Sequence, residues 1–428
     1  MFKSTVIYSL GYGVNRGLFL FSFPFLAAYL SLSDFGLYAL ILTLSQLLLP
    51  LQSLNGSAVL MREGVTDKSI AVNIYIKYIV ITFFITIFFA LLVNFILLED
   101  YYWLLYASLL SGSEALLLLT LTFYRAQDKP LLYLYITFIK SFIVLSVIYF
   151  TIHNDMGLKL ILQWQVVASV LFALILVLIV IIQNFNIVNI SKMKLENSLL
   201  FGILLLPHGI SQWILNSSDR LVIKYVENDV SLGAYTIGYT FASILFLMNS
   251  GITMAIPQLM IKDYKSWIRL KKDTVFIQYY SIFAVALYIL LWIFIYVDKN
   301  ILNFIHHYNM SVLLTFTFAY LGIFILGYYY FFANYLFYHR LAKVISTQTI
   351  IVALLNVVLT IALVFLMGFV GASLATLITY GFYLFIVKNV AIKVEPKLKG
   401  QLTHIVKILV ISLLALCIMS VIGVIIIK

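Results

Sequence analysis

The chain has 428 residues, of which 64% are hydrophobic and only 10% charged, with a formal net charge of +11. A soluble domain carries about 25% charged residues, so this composition excludes an ordinary globular protein and describes a polytopic membrane protein with little soluble mass. The single cysteine, Cys417, excludes intrachain disulfides and cysteine-based metal sites, and the basic excess marks loops on one membrane face rather than a nucleic-acid surface.

About thirteen apolar runs are long enough to span a bilayer. They cover roughly 5–30, 36–61, 74–98, 101–124, 131–152, 160–183, 199–225, 232–261, 275–297, 309–336, 346–368, 370–390 and 405–427. The first starts almost at Met1 and is too long for a cleavable signal. The runs are continuous and lack period-two alternation, which predicts helices rather than barrel strands. The connecting segments alternate in charge. With the N-terminus inside, about nineteen Lys and Arg fall on the cytoplasmic side, five of them between Lys262 and Lys272, against about three outside.

The chain is written twice. Phe35-Gly36-Leu37-Tyr38 opens the second run, and Leu232-Gly233-Ala234-Tyr235 opens the eighth, about 197 residues later. Lys129 and Lys343 open the fifth and eleventh runs, while Gly157 and Gly371 precede the sixth and twelfth. Six runs separate each pair, so the halves share one orientation and predict a parallel repeat. The expected organisation is a six-helix lobe over 1–197, a second over 198–395, and a basic linker with a thirteenth helix over 396–428.

Several chemistries are absent. No G-x-x-x-x-G-K-[ST] occurs, and Gly11-Tyr12-Gly13 lies inside an apolar run with no preceding strand. His306-His307 has no acidic neighbour to complete a metal site. The expectation is a non-enzyme without cofactors.

Ionisable groups at membrane depth are costly and mark function or pairing. In the seventh run His208, Gln212, Asn216, Arg220 and Lys224 recur every fourth residue, with Asp219 beside Arg220. That spacing draws one slowly turning polar face on a helix. A rise of 1.5 Å per residue puts Arg16, Glu114, Lys140 and His208 at about one level near mid-bilayer, and Asp219 and Arg220 near the outer mouth. Lys77 lies close to a helix end and can snorkel. Glu114 can pair with Arg16 or Lys140, yet two bases against one acid leave the layer cationic, which suits a phosphate-bearing substrate. Ser9, Gly13 and Gly17 form a small-residue face that serves close helix packing. Pro24 and Pro207 interrupt backbone hydrogen bonding and predict kinks.

Six segments together resemble the polysaccharide-export and O-antigen repeat-unit flippases of the multidrug/oligosaccharidyl-lipid/polysaccharide exporter superfamily. They are Ser33-Asp34-Phe35-Gly36-Leu37-Tyr38, Phe123-Tyr124-Arg125-Ala126-Gln127-Asp128-Lys129, Ser218-Asp219-Arg220, Leu232-Gly233-Ala234-Tyr235, Asn356 and Gly368-Phe369-Val370-Gly371-Ala372. The resemblance implies an all-α membrane protein, two six-helix bundles in a V-shaped arrangement, working by alternating access. The implied cargo is an undecaprenyl-pyrophosphate-linked oligosaccharide carried from the cytoplasmic to the outer leaflet of a bacterial inner membrane, with H+ or Na+ as coupling ion. Membrane lipids, a glycan polymerase and a chain-length regulator are the implied partners; nucleic acid is not. Candidate substrate-binding residues are Asn15, Arg16, Lys140, His208, Gln212, Arg220 and Lys224, with Glu114 and Asp219 for ion coupling. A small-molecule antiporter of the same superfamily is the competing expectation. A membrane polymerase or acyltransferase is a further one, disfavoured by short external loops.

Overall fold

A computed structural model describes residues 11, 13, 14, 17, 20 and 22–427 apart from 65–66, 97–101, 188–194, 263, 306 and 340. Among the described residues every regular element is helical, and twelve helices are long and apolar enough to cross a membrane. In chain order these twelve coincide with the second to thirteenth predicted runs. Part of the first run, including Asn15 and Arg16, lies outside the described residues.

The chain divides into two compact units, 1–213 and 214–428. In the first unit α1 (Leu32–Ser53) is followed by the short α2 (Gly56–Glu63), α3 (Lys68–Ile96), α4 (Tyr102–Ala126), α5 (Pro130–His153) and α6 (Leu158–Gln183). Helix α4 is the hub, packing on α1, α2, α3, α5 and α6. Its small side chains allow this approach: a methyl group at Gly112 would meet Thr86 Cγ2 at 2.4 Å.

The second predicted run is broken where α1 meets α2. Leu54 and Asn55 both take positive φ, 43° and 52°. Non-glycine residues rarely do so, and here a tertiary bond holds the joint: Asn55 Nδ2 donates to Gly202 O at 3.0 Å. Gly202 lies on α7 (Leu195–Leu204), and a Cβ there would stand 2.2 Å from Leu54 O. Only a glycine lets the two backbones come this close.

The seventh predicted run is three helices: α7, α8 (Leu206–Ser217) and α9 (Asp219–Val226). The first break falls at Leu205, two residues before Pro207, whose ring removes one backbone donor from the ladder. The second falls at Ser218. Trp213 Nε1 donates to Thr43 O at 2.8 Å, tying the first unit's part of α8 to α1.

The second unit continues with α10 (Asp229–Lys262), α11 (Tyr264–Arg269), α12 (Lys272–Val297), α13 (Met310–Tyr338), α14 (Ala342–Met367), α15 (Phe369–Val394) and α16 (Lys399–Ile427). Its hub is α13, nearly buried along its length and packed between α10 and α15. Helix α16 packs on α12, where Tyr288 and Ser420 hydroxyls meet at 2.7 Å and Gly423 leaves room for the Trp292 ring.

The repeat is visible at atomic level. Ser31 caps α1, its Oγ accepting the Asp34 N–H at 3.1 Å. Asn228 caps α10 in the same register, its Oδ1 accepting the Ser231 N–H at 2.8 Å. Each cap satisfies an otherwise unpaired first-turn donor, so both helices start at one place in the repeat. Tyr38 and Tyr235 then occupy matching positions, both fully buried. The later match shifts: Gly157 caps α6 and Gly368, not Gly371, stands at the start of α15. Gly368 has φ +67°, and a Cβ there would lie 2.8 Å from Glu227 Oε1. Unequal loops between the last helices account for the difference from the expected pairing.

Candidate functional site

The predicted site residues fall in two clusters, one in each unit. In the first unit Glu114 on α4 and Lys140 on α5 form an ion pair, Lys140 Nζ donating to Glu114 Oε2 at 2.5 Å. Their side chains are mostly shielded, 12% exposed for Lys140 and 23% for Glu114. Ser113, Ile143, Ala168, Ser169 and Phe172 line the same cleft, which leaves room for about one water molecule. Helices α4, α5 and α6 therefore hold this pair within a single lobe. A buried charge of either sign would be expensive alone, and pairing meets that cost. Of the four groups expected at mid-bilayer, the described structure brings together these two. Arg16 and Asn15 lie outside the described residues, and so does the side chain of His208, a residue of α8.

In the second unit Asp219 opens α9. Its Oδ1 accepts the Arg220 backbone N–H at 2.8 Å and Arg220 Nη1 at 3.2 Å. Its Oδ2 accepts the Tyr235 hydroxyl from α10. A carboxylate in the first turn of a helix also meets the positive end of the helix dipole. The Arg220 guanidinium carbon lies 4.7 Å from the Tyr239 ring centre and 6.0 Å from that of Tyr235. Aromatic faces stabilise a cation most where water is excluded. Asp219 is 3% exposed and both tyrosines are buried. One turn earlier, Asn216 Oδ1 accepts the Tyr380 hydroxyl from α15 at 2.8 Å. The end of α8 and the start of α9 are thus fastened to α10 and α15 by a polar core of six residues.

Lys224, one turn further along α9, donates to Asp229 Oδ1 at 2.6 Å and so closes the turn into α10. Gln212 is half-buried on α8. The stripe drawn by the fourth-residue spacing is thus divided among helices with separate partners. Asn356, named by the sequence resemblance, is buried on α14 with Nδ2 3.4 Å from Thr379 Oγ1.

Three of these residues were not singled out as site residues from the sequence: Tyr235, Tyr239 and Tyr380. Tyr235 carried a usable signal, because it repeats Tyr38 at the same place in the duplicated motif. Nothing in the local sequence marks Tyr239 or Tyr380 among thirty tyrosines.

These features define a multi-span helical membrane protein of two repeated helix units with the Glu114–Lys140 ion pair set inside its spans. Solved structures similar to it in fold include transporters. The inward-facing conformation of a multidrug resistance MATE family transporter of the MOP superfamily matches with a TM-score of 0.65 at 12% identity, over 92% of this chain and 96% of that one. The outward-facing conformation of such a transporter matches with a TM-score of 0.60 at 14% identity, over 93% and 96%. A MATE transporter of Vibrio cholerae matches with a TM-score of 0.59 at 14% identity, over 94% and 97%. The chain has the fold of MATE family transporters of the MOP superfamily. No protein-family model matches the sequence, and no curated protein is similar to it in sequence.

Proposed function

We propose that this protein is an alternating-access exporter whose cargo is a lipid-linked oligosaccharide with a pyrophosphate head. The transporter fold supports the first half of that reading, since neighbours of the same architecture occur in inward-facing and outward-facing forms. The cargo rests on one observation above others: basic residues predominate among the ionisable groups within the apolar runs, Arg16, Lys77, Lys140, Arg220 and Lys224, with Lys388 and Lys407 near run ends, against Glu114 and Asp219. Arg and Lys are the groups that bind phosphate oxygens. The sequence resemblance points the same way, through residues that also build helix starts and joints. Lys140 and Arg220 rest on Glu114 and Asp219, so phosphate binding would proceed by exchange: the head group takes the cation, and the freed carboxylate takes a proton or sodium ion.

A second reading has its own support. The structural neighbours are multidrug transporters, and pairing of Lys140 and Arg220 leaves the described charges close to balanced, as a small-molecule exporter would allow. Deletion in the native bacterium separates the two. A flippase deletion accumulates lipid-linked oligosaccharide on the inner leaflet and loses surface glycan. Unchanged glycan with increased sensitivity to organic cations assigns the small-molecule reading instead.

A further inference from the structure

Five helices of the second unit begin or end around one corner: α10, α12, α13, α15 and α16. Tyr264 organises it. Its ring stacks on Tyr338 with centres 3.9 Å apart, and its hydroxyl donates to Glu395 Oε2 at 2.7 Å. Burial, then the Glu395 carboxylate, raises the Tyr264 hydroxyl above its ordinary range, so it remains a donor. Thr274 Oγ1 donates to Gln401 Oε1 at 3.0 Å, and Tyr335 donates to Asp273. These bonds lay the α11–α12 segment beside the linker between α15 and α16.

The outer surface of this corner is basic. Helix α11 buries Trp267, 1% exposed and stacked on Phe276, and exposes Lys265 and Arg269 one turn apart. Lys271, Lys397 and Lys399 are exposed on the two segments so joined. Among the described residues the nearby acids Glu395 and Asp273 are bonded to tyrosines. Leu270 is 56% exposed among the cations. Fixed cations at span ends, around an exposed leucine, match the chemistry of a lipid surface: phosphates outside, acyl chains beneath.

We propose that this corner binds anionic phospholipid headgroups, with Lys265, Arg269, Lys271, Lys397 and Lys399 holding their phosphates and Leu270 entering the acyl region. Basic residues scattered over loops would attract such lipid only diffusely. Here two segments distant in sequence are locked together, so several cations reach one small patch of lipid.

The test uses the full chain in phosphatidylcholine vesicles with spin-labelled phosphatidylglycerol or spin-labelled phosphatidylcholine as probe. The protein should immobilise phosphatidylglycerol in preference. Lys265→Gln, Arg269→Gln and Lys271→Gln together should lower that preference by at least about fivefold, the equivalent of one juxtamembrane cation. The control Lys68→Gln, Arg125→Gln and Lys129→Gln removes equal charge from the first unit and should change it much less. Equal losses in the two triples, or no loss in either, overturn the proposal. Phosphatidylcholine association reports proper insertion in each variant. In unaltered protein, phosphatidylglycerol should protect Lys265 and Lys271 from amine acylation several times more than Lys68 and Lys129. Equal protection overturns the lipid assignment, as does a corner shielded only by an acidic protein.

Discussion

Tyr38 and Tyr235 stand at one position of a duplicated fold, yet they meet different chemistry. In the first unit Tyr38 donates to the neutral Gln165 on α6 at 3.0 Å. In the second unit Tyr235 donates to Asp219, itself paired with Arg220. The repeat keeps the tyrosine, the helix start and the cap, and changes the partner from an amide to an ion pair. The first unit instead places its charge pair, Glu114 and Lys140, between α4 and α5. The duplication thus fixes the scaffold, and each unit carries its charge at its own place. This is the pattern expected when packing keeps two halves alike while their interior chemistry diverges.

Substitutions in the two units test whether their interior chemistry differs as described. The largest effect is expected at Asp219→Asn, which leaves a mostly shielded arginine without its counter-charge. Unfolding in detergent should show a loss of about 3–5 kcal/mol, and replacing Asp219 and Arg220 together by Leu and Met should recover much of it. A double variant no better than the single one would mean that Arg220 does not depend on Asp219.

Next comes Gly202→Ala, whose new methyl meets the Leu54 carbonyl oxygen at 2.2 Å. It should destabilise the first unit by about 1–3 kcal/mol. Gly209→Ala, whose methyl would rest 3.8 Å from Pro50, should be close to neutral. The smallest difference tests the tyrosines directly. Tyr235→Phe should cost about 1–2 kcal/mol and Tyr38→Phe about 0.6 kcal/mol, both read from thermal unfolding. Equal losses would remove the contrast between the units.

Much of the fold was legible because a bilayer demands continuous apolar segments, and these stand out from their charged linkers. The break before Pro207 followed from the missing donor of the ring. The joint at Leu54 and Asn55 did not, because two non-glycine residues hold positive φ there through a bond to Gly202, far along the chain. The repeat was readable where caps and tyrosines recur, and misaligned at its end, where loop lengths differ. In the candidate site, Asp219 and Arg220 are sequence neighbours and so their pairing was accessible. Glu114 and Lys140 are 26 residues apart, and their pairing was one of two options until α4 and α5 were seen to pack together. Tyr239 and Tyr380 needed the packed structure, since an aromatic near a cation has no periodic signature.

In the proposed function an anionic head group competes with carboxylates for the shielded cations while a lipid-linked glycan crosses the membrane. Purified protein in liposomes holding a fluorescent undecaprenyl-pyrophosphate-linked sugar in one leaflet tests this directly. Transfer to the other leaflet is expected, blocked by Lys140→Gln at unchanged protein level. Absence of transfer by the intact protein, or full transfer by that variant, would contradict it.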